Sequence, residues 1–198
     1  MENLEFTQDW CSHNFTAWKR LIAKYKPATI LEIGSYEGRS ALFWLTQSTT
    51  KQLYCLDTWS GSVEHHDLDV RDIEIRFDKN VSKHTNVIKM KDTSLRSLSK
   101  LIDLHSIKFD LIYIDGSHHP QDVLVDAVLC FNLCNIGGIV IFDDYLWINR
   151  QRFGPWHGDL PKTLLPHPKT AVDAFCNIYE DRIKIIESNY QLCYERIK

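Results

Sequence analysis

The chain has 198 residues and a mass of 23.2 kDa, enough for one domain with a full core and too little for two ordinary ones. With 44% hydrophobic and 25% charged residues it has a globular composition rather than that of a disordered tail. Its formal charge of −3 argues against a dedicated nucleic-acid binder, which needs a basic face to release counterions. No apolar run approaches the roughly 20 residues of a membrane span. Met1-Glu2-Asn3-Leu4-Glu5 lacks the basic and apolar regions of a signal peptide.

Short β-branched runs alternate with helical patterns, the pattern of an α/β domain with a mostly parallel sheet. Ser12–Tyr25 reads as an amphipathic helix within an N-terminal extension, residues 1–27. Thr29–Ile33 is the first strand and Gly34 closes it. A helix follows near Arg39–Thr46, then a second strand at Leu53–Asp57. Next come a helix near Asp69–Asn80, a strand at Asn86–Met90, and a helix near Ser94–Leu104. The fourth strand, Phe109–Asp115, and the fifth, Gly138–Asp143, are nearly continuous apolar runs, as in strands covered on both faces. Between them lies a helix near Gln121–Leu133. After the fifth strand, residues 145–168 are rich in Pro, His and Trp. A helix near Thr170–Tyr179 precedes Ile183–Ile186 and Gln191–Tyr194, separated by Ser188-Asn189 as in a hairpin. The expected fold is a single domain over 1–198: a Rossmann-like, seven-stranded, mostly parallel sheet with helices on both faces and an antiparallel terminal hairpin. A dinucleotide-binding domain would more often continue with a sixth parallel strand.

Six cysteines, Cys11, Cys55, Cys130, Cys134, Cys176 and Cys193, form no C-x-x-C. Cys130 and Cys134 are four apart and are expected on one helix face. Small buried hydrophobes in a reducing compartment explain the set better than a zinc site, so a cytoplasmic protein is expected.

Leu31-Glu32-Ile33-Gly34-Ser35-Tyr36-Glu37-Gly38-Arg39-Ser40 joins the first strand to its helix. Gly34 permits a tight turn and close approach to a ligand, and Gly38 lets the next helix pack near the strand. In open α/β sheets ligands bind beyond the carboxyl ends of the strands. The G-x-x-x-G spacing lacks the third glycine of a pyrophosphate cradle. Asp57 ends the second strand, where an acid accepts bonds from ribose hydroxyls; as Asp57-Thr58 it could equally cap a helix. Trp59 could lie against an adenine or simply pack.

Asp115 ends the fourth strand, and Asp143 and Asp144 end the fifth. As neighbours about 4.8 Å apart, these strands would bring three carboxylates into one cleft. Left alone, such acids raise one another's pKa values, so a hard divalent cation, Mg²⁺ best, a basic partner or a proton must neutralise them. Side chains alternate along a strand, so Asp143 and Asp144 can share one metal only if the chain leaves the strand between them. The alternative is that these aspartates cap helices. His118, three residues past Asp115, is suited to act as a general base, its ring tuned by a nearby carboxylate. His119 precedes Pro120, which is expected to start a helix and steer that backbone away.

Three segments, Leu31–Ser40, Tyr113-Ile114-Asp115-Gly116-Ser117-His118 and Gly137-Gly138 through Asp143-Asp144-Tyr145, resemble class I S-adenosylmethionine-dependent methyltransferases. More narrowly they resemble a small family related to the macrolide-sugar O-methyltransferases and, more distantly, to catechol O-methyltransferase. The resemblance implies that Gly34 and the turn after it, Ser35, Tyr36, Gly38 and Ser40, hold the methionine end of the cofactor, with Glu32 in support. It implies that Asp57, with Thr58 and Trp59 beside it, binds the ribose side, and that Thr93 or Ser94 approaches the adenine. Asp115, Asp143 and Asp144 would be the divalent-metal ligands. His118 stands where the sugar enzymes carry a histidine and the catechol enzymes a lysine. The chain departs from the catechol pattern at Asp144, where those enzymes have an amide.

The expected reaction is methyl transfer to a hydroxyl of a small molecule, a sugar or catechol-like diol. His118 and Asp115 would be catalytic, and neither nucleic acid nor a membrane would be a partner. A homo-oligomer is compatible with the sequence. Residues 60–80, with His65, His66, Asp67 and Asp69, and residues 145–168, with Trp147, Arg150, Arg152, Trp156, His157 and His167, would shape the acceptor pocket, the second as a lid or specificity loop; a disordered or oligomer-facing segment is the alternative for the second. Three competing readings stand: a metal-independent methyltransferase using His118 as base, an NAD-dependent oxidoreductase, and a non-catalytic cofactor-binding protein.

Overall fold

A computed structural model describes residues 4–61, 70–147 and 167–198. Seven runs rich in β-branched and aromatic side chains pair into one sheet: β1 Thr29–Ile33, β2 Gln52–Asp57, β3 Val87–Lys91, β4 Phe109–Ile114, β5 Cys134–Phe142, β6 Ile183–Ser188 and β7 Leu192–Arg196. Their order is β3-β2-β1-β4-β5-β7-β6. Every pairing is parallel except β5 with β7 and β6 with β7, so β7 alone runs against the rest. The order reverses between β1 and β4, the switch point where open α/β sheets bind ligands.

The helices divide between the two faces. The strand pleat sends Leu31, Ile33, Ile112, Ile114, Val140 and Phe142 into one apolar cluster with Leu98, Val123, Phe131 and Phe175. These come from α4 Ser94–Asp103, α5 Pro120–Leu133 and α6 Pro168–Ile178. The alternate strand residues, Ile30, Leu111, Tyr113, Ile139 and Ile141, join Trp18, Trp44 and Phe77 in a second cluster. Those come from α1 Phe15–Tyr25, α2 Arg39–Leu45 and α3 Ile73–Val81. Trp18 stacks on Trp44 at 4.5 Å and fastens the N-terminal extension to the sheet. Helix α1 stops where Lys26 turns left-handed (φ 48°) and Pro27 follows.

Several expected boundaries move. The third strand is Val87–Lys91, one residue later than expected. The expected helix over Asp69–Asn80 begins at Ile73, Asp69 itself lying outside the described residues. The fifth strand begins at Cys134, not Gly138, because α5 runs straight into it. Cys134 pairs with Phe109 and Ile139 with Leu111, so the extra β5 residues bulge around Gly137 (φ +81°). Cys130 and Cys134 therefore do not share a helix face: Cys130 is on α5 and Cys134 opens β5. All six cysteines are free thiols, five of them buried. Among the described residues no helix is long and apolar enough to cross a membrane.

Candidate active site

The strand ends converge most closely at Gly34. It sits at φ +86°, and a Cβ there would lie 1.7 Å from the Asp115 carbonyl oxygen. The close approach that demands glycine is thus to the end of β4. Its amide donates to the Leu56 carbonyl at 2.8 Å, so β1, β2 and β4 meet at one residue. The reason expected for Gly38 also changes: its Cβ would meet Phe77 of α3 at 3.1 Å, so the close packing is against α3 rather than the strand.

Between the two glycines the turn is held by side chains around it. Asp57 accepts the Tyr36 amide at 2.8 Å and the Trp59 amide at 2.7 Å. The Trp59 indole donates to the Tyr36 carbonyl at 2.9 Å. Asp57 caps no helix among the described residues; it ties the turn after β1 to the turn after β2. Trp59 is buried against Phe77 at 4.8 Å, the packing alternative for its ring. Thr58 accepts the Ser60 amide at 3.2 Å. Glu32 is 0% exposed; burial pushes its carboxyl up to about 7, partly offset by Ser35, Ser40, Trp44 and Cys55 around it. Trp44 donates to it at 3.0 Å. Buried this completely, it supports the turn from beneath. Thr93 and Ser94 open α4 beyond the end of β3, with Thr93 as its N-cap.

Across the switch point the acids gather. The chain leaves β5 after Phe142, and Asp144 adopts φ 51°, as sharing a site with Asp143 requires. The two carboxylates nonetheless part. Asp143 follows the pleat to the α1 face, accepting from Tyr113 Oη at 2.6 Å and Gln191 Nε2 at 2.7 Å. Gln191 in turn accepts the Trp18 indole at 3.0 Å. Asp144 turns the other way: its Oδ2 lies 2.8 Å from His118 Nε2, and its Oδ1 accepts Tyr190 Oη at 2.6 Å. Tyr113 Oη also lies 3.0 Å from Asp115 Oδ2. The phenol thus bridges two carboxyl groups. Burial, then the charges of Asp143 and Asp144, push the Asp115 carboxyl well up; burial, then Asp144, raises that of Asp143.

Asp115, His118 and Asp144 each offer a ligand atom within 4.8 Å of the others. Of the expected acid trio, then, Asp115 and Asp144 come together with His118, while Asp143 faces Tyr113 and Gln191. The two hard carboxylates suit a small divalent cation, and the imidazole stands beside them. The His118 ring also lies 4.2 Å from that of Trp147, and Pro168 at the start of α6 lines the same cleft. His119 is the extended N-cap of α5, and Pro120 starts that helix.

Sequence reasoning missed Tyr113, Gln191 and Tyr190, while Pro168 falls in the 145–168 segment expected to shape the pocket. Tyr113 carried a signal: it is two residues before Asp115 and so on the same strand face. Gln191 and Tyr190 carried none, since only the placement of β7 beside β5 brings the hairpin turn to the acids. His65, His66, Asp67, Asp69, Arg150, Arg152, Trp156 and His157 lie outside the described residues. His167 is buried at the N-cap of α6.

Residues 31–145 match the family described as a methyltransferase domain. The chain belongs to that family. Its fold is close to those of solved methyltransferases. An O-methyltransferase from Bacillus cereus in complex with S-adenosylhomocysteine superposes with a TM-score of 0.62 at 17% identity, covering 98% of this chain and 85% of that one. An S-adenosylhomocysteine-bound methyltransferase from Podospora anserina gives 0.65 at 20% identity, covering 93% and 78%. MycE, a methyltransferase of the mycinamycin biosynthetic pathway in complex with Mg and S-adenosylhomocysteine, gives 0.61 at 20% identity, covering 96% and 51%. An uncharacterized protein of Acanthamoeba polyphaga mimivirus is 27% identical over 118 residues, 59% of this chain. The chain spans about half the length of that curated relative, 51%.

Proposed function

We propose that this methyltransferase domain transfers a methyl group from S-adenosylmethionine to a hydroxyl oxygen of a small molecule, with a divalent cation at the acid cluster. The observation that carries the reading is the meeting of Asp115, His118 and Asp144 within 4.8 Å, across the switch point from the Gly34 turn. When bound, the donor supplies a methyl on a positively charged sulfur, and the cation supplies Lewis acidity that lowers the pKa of a hydroxyl. Asp115 and Asp144 would hold the cation; Asp143, the third of the expected ligands, is engaged by Tyr113 and Gln191 instead. Ser35, Tyr36, Gly38 and Ser40 shape the wall for the methionine end, Asp57 the ribose side, and Thr93 and Ser94 the adenine side. Asp144 and Trp147 hold the His118 ring, and the imidazole takes the hydroxyl proton. Holding the groups in line is worth up to roughly 7–11 kcal/mol in the best intramolecular cases.

A vicinal diol, on a sugar or a catechol-like ring, offers two oxygens to one cation, so diols are the acceptors to test first. Most of the lid or specificity loop expected over 145–168, residues 148–166, lies outside the described residues. Incubation of the protein with S-adenosylmethionine, Mg²⁺ and a panel of diols should yield S-adenosylhomocysteine; chelation by EDTA should stop it and excess Mg²⁺ restore it. Failure of the protein to bind S-adenosylhomocysteine under any condition would sink the reading. The metal-independent alternative has one observation in its favour, the 2.8 Å His118–Asp144 pair. Turnover that survives EDTA but not His118→Ala would select it.

A further inference from the structure

The residues ahead of α1 run across the glycine turn rather than away from it. Glu5 and Asn80 of α3 exchange two bonds, Glu5 N to Asn80 Oδ1 and Asn80 Nδ2 to the Glu5 carbonyl, each at 2.8 Å. Thr7 reaches Glu37 twice, its amide donating to Oε2 at 2.6 Å and its hydroxyl to Oε1 at 2.8 Å. Arg39 donates to the Gln8 carbonyl at 3.2 Å and lies over the Phe6 ring at 4.1 Å. Trp10 then packs on Tyr36, ring centres 4.9 Å apart. Beyond it Cys11 is buried; burial, then the charges of Glu32 and Asp115, push its thiol up. One stretch of chain therefore spans from α3, over the turn, to the buried Cys11.

Glu37 is the centre of this arrangement. It stands between Tyr36 (φ 47°) and Gly38 (φ 82°), in the middle of the turn. It is a carboxylate only 1% exposed, and such a group is tolerated inside only when paired and hydrogen-bonded. Arg76 supplies the pair, its Nε 2.5 Å from Oε1, and Thr7 supplies both hydrogen bonds named above. Asn80 meanwhile donates to the Glu37 carbonyl at 2.9 Å. A buried charge in the turn thus acts as a peg, gripped by α3 on one side and by the N-terminal strap on the other. The Tyr36 amide and carbonyl are committed to Asp57 and Trp59, so the peg and these two bonds together fix the left-handed backbone between the glycines.

We propose that Thr7, Glu37 and Arg76 form a latch by which the N-terminal strap holds the 34–38 turn in its cofactor-binding form, Thr7 and Glu37 being positioning residues. The latch rests on the cofactor reading above, that this turn holds the methionine end of S-adenosylmethionine. It makes the segment before α1 part of the binding site.

The test compares the wild-type full chain with Thr7→Val, Thr7→Ser and Glu37→Gln, reading the S-adenosylhomocysteine Kd by calorimetry and Tm without ligand. Thr7→Val should weaken binding about tenfold, the size expected for one hydrogen bond to a charged group, with Tm lowered by only a few degrees. Thr7→Ser, which keeps the hydroxyl, should restore the wild-type Kd. Glu37→Gln should weaken binding at least as much as Thr7→Val; if it fails to fold, the Thr7 pair alone decides. A Kd unchanged within twofold in Thr7→Val, or a loss that Thr7→Ser does not repair, overturns the latch and leaves the cofactor reading standing. Absence of S-adenosylhomocysteine binding by the wild type overturns both.

Discussion

Replacing Gly34 by alanine tests how the switch point is built. The new Cβ would lie 1.7 Å from the Asp115 carbonyl oxygen, where real contacts do not fall under 3.0 Å. The ends of β1 and β4 must therefore separate by about 1.3 Å, the difference of those two distances. That motion carries Asp115 away from His118 and Asp144. Alanine at φ +86° adds about 1–2 kcal/mol of backbone strain, and forcing apart a packed junction typically costs about 1–3 kcal/mol more. A loss of roughly 2–5 kcal/mol lowers Tm by about 4–20 °C in a chain of this size. A misplacement near 1 Å at a reacting centre can cost about 100-fold in rate, so activity should fall by that factor or more. Two other glycines serve as internal standards. Gly137 sits at φ +81° with nothing within 4 Å of its Cβ, so alanine there should cost only the strain. At Gly116 the Cβ would meet the Ile33 methyl at 3.1 Å, with no unusual φ, so a small shift should absorb it. Thermal melts and S-adenosylhomocysteine titrations of the three variants give the ranking. A Gly34→Ala protein that melts and binds like the Gly116→Ala one would refute the account of the switch point.

His118→Ala should reduce turnover by about 100- to 10,000-fold, the usual range for a general base, while the S-adenosylhomocysteine Kd changes little; equal losses in both would remove its role as base. Asp144→Asn should raise the Mg²⁺ concentration needed for half-maximal activity at least tenfold, measured by titrating metal into EDTA-treated protein, and an unchanged requirement would move the cation elsewhere. Asp126, 2% exposed on α5, has its carboxyl pushed up from 3.8 to about 6 by burial, against a hydrogen bond from Ser94. With the folded-state pKa above the unfolded one, burial costs nothing below about pH 4. The cost accrues as pH rises to about 6 and is then complete, worth about 3 kcal/mol at about 1.4 kcal/mol per pH unit. Asp126→Asn stays neutral throughout and should therefore be more stable than wild type at pH 7.5, with the gap closing towards pH 4.5. Other acids titrate identically in both proteins and cancel. Melting temperatures in which the asparagine variant gains nothing at pH 7.5 would contradict that sign.

The order of elements was legible because each strand is short, apolar and closed by a turn residue, and each helix carries its own stripe. The α1 pattern and Pro120 at the first position of α5 both come through unchanged in kind. What period and composition could not deliver were boundaries set by pairing. The four residues after Leu133 carry no strand signature of their own; β5 starts there because Cys134 finds Phe109 across the sheet. For the same reason the shared helix face expected for Cys130 and Cys134 fails: i, i+4 spacing means a common face only while the helix lasts.

The site was legible as a list of acids at strand ends and less so as a geometry. The requirement that the chain leave the strand between Asp143 and Asp144 is met, yet it has two outcomes, and only tertiary contacts choose between them. Asp143 still obeys the pleat, so it points to the face of Tyr113 and α1; Asp144, turned left-handed, points to His118. The choice is sealed by Gln191 and Tyr190, adjacent residues at the hairpin that donate to Asp143 and Asp144 respectively. A residue 48 positions away in sequence reaches the cluster only because β7 inserts between β5 and β6. The antiparallel strand is therefore more than an edge to the sheet. It sorts the two neighbouring carboxylates, one bound into the Tyr113–Gln191–Trp18 chain that ties the cluster to α1, the other presented with His118 to the cleft where chemistry would occur.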